Sequence, residues 1–241
     1  MKISYDNILK TATLTATNQS DNNPVANIVH NYLELPYDAI ENDTVITAEF
    51  TEDQSINHIA YGFHNLSLMH LYFFDALNNP IDDFSITVGP DEQIYYFPST
   101  ITGVGKIEIE LTTAADTLYI GCIFMGIYLQ MPNFSMALPT GIEIRDSVFQ
   151  SGSGQSGGNR QRNLETQSPV FQNVDNDKKN EIKLYLKIVQ RSIPHFIDFY
   201  PDAHEYFPII YGKVTSNNPA IPKRRINTWK WDISISYKES R

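Results

Sequence analysis

Apolar and polar residues alternate with period two through most of this chain, and the alternation predicts strands. Between residues 43 and 52, Ile46, Ala48 and Phe50 alternate with Thr47 and Glu49, the pattern of a half-buried strand. Ile59, Tyr61 and Phe63 repeat it in INHIAYGFHNLS and are expected on one buried face. Further strands are predicted at 69–74, 84–88 and 93–97, with the turn NNPIDD between the first two. In KIEIELTT, Ile107, Ile109 and Leu111 oppose Glu108 and Glu110. Residues 117–130 are apolar at both parities, which predicts a central strand covered on both sides. The opening TATLTATNQSDNNPVANIVHN reads as a first strand and an irregular Asn/Asp/Pro loop. Seven or more short strands without a helix predict an antiparallel sandwich of the jelly-roll class.

The sandwich is expected to close at Met131-Pro132, giving a first domain over residues 1–132 and a second over 133–241. In the second, Ile142, Ile144 and Val148 alternate up to Gln150, and extended character resumes at 164–174. Ile182, Tyr185, Leu186, Val189 and Ile193 then fall at helical spacing, with Asp175, Asn176 or Asp177 as N-cap and Pro194 as the stop. PHFIDFYP is a strand, and a further one lies in DAHEYFPIIYGKVT. At the C-terminus Trp229, Trp231, Ile233, Ile235 and Tyr237 share one parity, the cleanest strand signal present. The expected second domain is a small α+β barrel or sandwich with one helix. The Gly/Ser tract QSGSGQSGGNRQR (150–162) lies between two of its strands, so it is expected as the tip of a long hairpin.

Charge reinforces the break. Residues 1–132 carry 3 Lys/Arg and 17 Asp/Glu, whereas residues 133–241 carry 15 and 11. The acidic half repels nucleic acid and anionic membrane; the basic half suits an acidic partner, including the acidic half of another copy. Two solvated surfaces would show the same counts. A single cysteine, Cys122, excludes an intramolecular disulfide and sits in LYIGCIFMGIYL, where it is expected as a small buried hydrophobe. No signal-peptide h-region opens the chain, and the apolar run at 118–131 is too short for a membrane helix. Synthesis in a cytoplasm without membrane insertion is the expectation.

Catalytic constellations are not found. His58, His64 and His70 are evenly spaced, but the turn-like Asn65-Leu66-Ser67 interrupts the strand that metal ligation would need. Gly103-Val104-Gly105-Lys106 imitates a P-loop, yet Thr100 and Ile107 stand at required positions and a strand follows. Asp82-Asp83 and Glu108/Glu110 are expected as solvated charges. No catalysis, cofactor or metal is therefore expected. Two candidate contact regions remain. One is an assembly loop of Ser151, Gly152, Gly154, Gly157, Gly158, Arg160 and Arg162; the other is a basic surface of Lys213, Lys223, Arg224 and Arg225, for an acidic subunit or weak DNA contact.

Taken in order, NPVANIVHN, YGFHNLS and TLYIGCIFMGIYLQMP resemble the galactose-binding-like (discoidin-type) jelly roll at the front of some tailed-phage virion proteins. GIEIRDSVF, PHFIDFYPD, YGKV and the final strand with Trp231, Ile235 and Glu239 are similar to the second halves of those proteins. The resemblance implies a non-enzymatic tail or baseplate component of a virion, forming a homo-oligomeric ring through its C-terminal domain beside other tail proteins. It also implies a second reading, a carbohydrate-binding module recognising glycans through loops such as 22–31 and 78–83. Those loops carry Asn, Asp and His but no Trp.

Overall fold

In the computed structural model the described residues are 1–30, 35–89, 93–134, 140–143, 146–150, 156–160, 164–190, 192–201, 209–217, 221–225 and 228–239. Nine strands run first: β1 (Lys2–Ser4), β2 (Thr13–Ala16), β3 (Tyr37–Ala39), β4 (Asp43–His64), β5 (Leu66–Phe74), β6 (Pro80–Thr87), β7 (Gln93–Thr113), β8 (Leu118–Gly126) and β9 (Leu129–Gln130). Then come β10 (Thr140–Glu143), β11 (Asp146–Gln150), β12 (Ser156–Arg160), β13 (Leu164–Gln167), β14 (Val170–Val174) and the helix α1 (Asn176–Val189). The chain continues through β15 (His195–Asp198), β16 (Ile210–Asn217), β17 (Ile221–Arg225) and β18 (Thr228–Glu239). The protein is mainly β, antiparallel, with one α-helix among the described residues.

It divides into two units. One comprises Met1–Gln130 with His195–Tyr211, the other Met131–Pro194 with Gly212–Arg241. The first cut falls beside the expected Met131-Pro132 boundary. The return of His195–Tyr211 to the first unit differs from the sequence reading, and the cause is the face of β8 described below.

The first unit is a jelly-roll sandwich built on two very long strands. The start of β4 pairs with β2 on one side and with the end of β7 on the other, and β5 and β6 extend that sheet. The end of β4 pairs with the start of β7 and with β8, which pairs in turn with β3. Each long strand thus serves both sheets. The β4–β7 ladder shifts register between Glu49 and Gln54 and again before His58, and such irregularities let a strand turn a sandwich corner. Hence the separate strands predicted at 43–52 and 59–63, and at 93–97 and 107–111, are halves of single strands. The corner also explains the P-loop-like string. Gly103 has φ 74°, and a Cβ on Gly105 would stand 2.6 Å from the Ala76 backbone. Both glycines answer to backbone geometry.

Alternation sets the core. Ile46, Ala48, Met69, Leu71, Phe73, Ile107, Ile109 and Leu111 point inward from the first sheet, and Ile59, Tyr61, Ile123 and Met125 meet them from the second. Glu49, Glu108, Glu110 and Asp83 stay on the outer face of the first sheet. The second sheet has a covered outer face as well, as the two-faced apolar pattern of β8 predicts. Ala60, Cys122 and Phe124 pack there against Phe196, Ile209 and Tyr211, with the Phe124 and Phe196 rings 5.4 Å apart and nearly perpendicular. β15 is tied on by pairing to β1, which pairs also with β9. Burying rings of this size is worth about 2 to 3 kcal/mol each, enough to hold His195–Tyr211 to the sandwich.

The second unit centres on β18. β17 and β14 flank its first half, and β16 and β13 its second. Asp175 caps α1 by accepting from the Lys178 N–H at 2.8 Å, and Ile182, Tyr185 and Val189 are its buried face. Ile233, Ile235 and Tyr237 are buried as predicted. Trp231 is half-exposed instead, its indole N–H donating to Asn176 Oδ1 at 2.7 Å and its ring covered by the Lys179 ammonium. β11 and β12 pair from Asp146↔Arg160 to Gln150↔Ser156, so Gln150 and residues 156–160 of the Gly/Ser tract lie on paired strands, while 151–155 and 161–162 lie outside the described residues.

Candidate functional site

At Phe63 the alternation that Ile59 and Tyr61 begin is broken. Phe63 has φ 53°, a left-handed conformation that a bulky residue adopts at a cost of about 1 to 3 kcal/mol. Phe63 is 50% exposed between the buried Gly62 and His64, correcting its expected place on the buried face. Room for the ring comes from Gly121 on β8, where a Cβ would lie 3.0 Å from Phe63 Cβ. Beside it stands Tyr119, also exposed, with ring centroids 5.6 Å apart and planes tilted by 50°.

Neighbouring residues hold this pair in place. Asn65 grips the start of β8 three times: its N–H donates to Tyr119 O, its Oδ1 accepts from Tyr119 N at 2.9 Å, and its Nδ2 donates to Thr117 O at 2.7 Å. Asp38 is the β3 residue directly across from Tyr119. Its carboxylate accepts from the Asn23 side-chain amide, and its own N–H donates to Asn23 O. Ile40, the next outward residue after Asp38, is 62% exposed. The result is an apolar surface of two rings and one aliphatic chain, edged by a carboxylate and an amide. Its aromatic centre can stack on the C–H face of a sugar while the edge takes hydroxyl hydrogen bonds.

Among the described residues of the first unit no cation lies at it. The first unit has only Lys2, Lys10 and Lys106 against 20 Asp/Glu. Lys2 lies over the Tyr96 ring at 3.7 Å and also over Tyr128. Lys10 is over Phe124, and burial lowers its pKa, opposed by Asp6. Lys106 pairs with Glu108 at 3.0 Å above the Phe74 ring.

No protein-family model matches this chain, and no curated protein does. Among solved structures it is similar to the lectin domain of lectinolysin complexed with Lewis b antigen (10% identity, 50% of this chain and 95% of that one, TM-score 0.43). It is similar also to a fucose-binding module of Streptococcus pneumoniae (12%, 52% and 99%, 0.44) and to a Clostridium perfringens module in complex with GalNAc-β-1,3-galactose (12%, 49% and 97%, 0.42). These neighbours are carbohydrate-binding jelly-roll modules. None of the three indicates a tail or baseplate protein, so the tail-assembly expectation gains no support from them.

The other sequence candidates fall elsewhere. His58 is buried, its Nε2 2.5 Å from Ser4 Oγ and its Nδ1 3.1 Å from Asn57 Oδ1. His64 Nδ1 accepts from the Leu66 N–H, and His70 stacks on Tyr72 at 4.3 Å with Asp83 at 3.2 Å. Among the described residues no group of three such side chains could hold a metal ion, and no helix is long and apolar enough to cross a membrane. Of the two proposed glycan loops, 22–31 supplies Asn23 to the site; 78–83 leads into β6, on the other sheet. Ser151, Gly152, Gly154 and Arg162 lie outside the described residues. Gly157, Gly158 and Arg160 sit on β12 opposite Phe149, Val148 and Asp146. Lys213 is across from Lys238, Lys223 from Lys230, Arg224 from Trp229 and Arg225 from Thr228.

Sequence reasoning missed Phe63, Tyr119 and Asp38. A left-handed φ has no signature in a Tyr-Gly-Phe-His string, and the partner glycine that makes it feasible lies 58 positions further on.

Proposed function

We propose that this chain is a non-enzymatic glycan-binding protein, in which Phe63 and Tyr119 stack on a sugar ring and Asp38 with Asn23 bonds its hydroxyls. The observation that carries the reading is Phe63. It is held in a costly backbone conformation, over a glycine that admits it, and the conformation puts an aromatic ring into solvent. Strain of this kind persists where the surroundings enforce it and tends to cluster at binding sites. With no cation at the site and an acidic surface around it, the favoured ligand is an uncharged sugar, and uronic or sialylated chains are repelled.

The test is a glycan array on the full chain, followed by titration of the best neutral oligosaccharide against the wild type, Phe63→Gly and Tyr119→Ala. Glycine accepts the left-handed backbone, so Phe63→Gly should keep or raise the melting temperature while weakening binding at least tenfold. Wild-type silence across the array, or unchanged affinity in both variants, refutes the assignment.

A further inference from the structure

Aromatic rings and carboxylates meet on the outer face of the β2-β4-β7-β5-β6 sheet. Along β5, Leu68, His70, Tyr72 and Phe74 alternate with the buried Met69, Leu71 and Phe73, so they share the outward face. Register sets Tyr72 between Asp83 of β6 and Glu108 of β7, and His70 beside Glu110. The Tyr72 hydroxyl donates to Glu110 Oε2 at 3.2 Å, and His70, stacked on Tyr72 at 4.3 Å, lies 3.2 Å from Asp83. Desolvation, then Glu110, Asp83 and Glu108, raises the Tyr72 pKa, so three carboxylates act on one phenol. Apolar side chains adjoin them. Leu68 and Ile81 are each 40% exposed, and Leu77, in the β5–β6 turn, is 81% exposed.

The fold shows how this face holds a cation. Lys106 Nζ lies 3.0 Å from Glu108 Oε1 and 4.5 Å from the Phe74 ring centroid, so its ammonium takes a carboxylate and a ring at once. Lys2 and Lys10, the other lysines of the first unit, are held over Tyr96, Tyr128 and Phe124. No lysine of that unit is left to answer Asp83 and Glu110.

We infer that this face docks an extended basic segment of another protein, with arginine or lysine at alternate positions. Charge complementarity is the first ground: Asp83, Glu108 and Glu110 surround Tyr72, and Lys106 offsets only Glu108. Spacing is the second. An extended chain advances about 3.3 Å per residue, so its alternate side chains repeat at the interval that separates Glu108 from Glu110 along β7. A guanidinium there can bridge carboxylate oxygens while its stem lies on apolar side chains such as Leu68. His70 covers one face of the Tyr72 ring, which favours such a segment over a sugar stacked flat on it. The surface lies on the sheet that does not carry Phe63 and Tyr119, so the inference stands independently of glycan binding.

The experiment is fluorescence anisotropy of the full chain with a short labelled peptide of alternating arginine and serine, in low salt and in about 0.5 M salt. The wild type should bind it saturably in low salt and lose most of the affinity in high salt. A peptide of the same composition with its arginines adjacent should bind several-fold more weakly, because neighbours on an extended chain point to opposite sides. Asp83→Asn/Glu108→Gln/Glu110→Gln should weaken binding about tenfold, the combined effect of several exposed ion pairs. Asp21→Asn/Glu41→Gln/Asp116→Asn removes as much charge from loops off the face and should stay within about twofold of the wild type. Phe63→Gly should bind the peptide as the wild type does, which separates this result from the glycan reading. Should a triple variant fail to fold, the comparison of the two peptides on the wild type decides. A wild type that ignores the alternating peptide, equal affinity for both peptides, or equal losses in the two triple variants overturns the inference. So does displacement of the peptide by a glucosamine oligomer, which would make an amino sugar the occupant.

Discussion

His58 makes the stability of the first unit depend on pH. Its ring is buried and bound at both nitrogens, by Ser4 of β1 and by Asn57. Burial lowers its pKa from 6.5 to about 4, with Lys2 pushing the same way and a hydrogen bond at Gly126 opposing. The folded state therefore favours the neutral ring. In the unfolded chain the ring takes a proton near 6.5, so between that pH and about 4 the unfolded state binds more protons and stability falls with acid. The contribution is complete above pH 6.5 and lost by about pH 4, and the drop is worth about 3 kcal/mol. Against a total of roughly 5 to 15 kcal/mol for a domain, that is large. Urea unfolding of the wild type and of His58→Gln at half-unit steps from pH 3.5 to 8 isolates it. Carboxylates titrate in both proteins and cancel in the difference. The variant should be less stable at pH 8, and the gap should close by about 3 kcal/mol toward pH 4. A gap independent of pH would mean that the buried ring is not what titrates, and the linkage argument fails.

Three further outcomes follow from packing. Phe196→Ala empties the layer over Phe124 and Tyr211 and should cost about 3 to 5 kcal/mol, read as a lower urea midpoint; a change below 1 kcal/mol would detach residues 195–211 from the sandwich core. Gly105→Ala drives a Cβ into the Ala76 backbone and should lose about 1 to 3 kcal/mol, whereas Gly103→Ala, with open space but φ 74°, should lose only about 1; calorimetry of both checks the order. Asp175→Ala removes the cap of α1 and should lower the stability of the second unit by about 1 kcal/mol in thermal melts followed by circular dichroism.

Much of the fold was legible because burial and strand parity coincide. Ile107, Ile109 and Leu111 against Glu108 and Glu110, the two-faced β8 and the capped helix all read directly, since in each a local pattern and a tertiary surface are the same thing. The merging of predicted strands into β4 and β7 was not legible. A ladder irregularity interrupts the period without interrupting the strand, so residues 53–58 look like a break. Nor could the sequence say what covers β8. Two apolar faces require two partners, but identifying one as residues 195–211 requires the β1–β15 pairing, which joins positions almost two hundred apart.

Two departures from simple alternation, in β8 and at Phe63, have opposite explanations, and that difference singles out Phe63. In β8, apolar residues occupy the outward parity because another layer buries them: Cys122 and Phe124 are fully enclosed by Phe196, Ile209 and Tyr211. At Phe63 an apolar ring leaves the core with no covering layer, although the inward arrangement set by Ile59 and Tyr61 would have hidden it. Burial of a phenylalanine is worth about 2 to 3 kcal/mol, and the left-handed backbone costs about 1 to 3 more, so stability alone selects against what is observed. Something other than the stability of the fold has to favour an exposed ring there, and that is the ground of the proposal that a sugar stacks on it. The candidate site is thus a place where alternation fails at a cost in stability and leaves an aromatic ring in solvent.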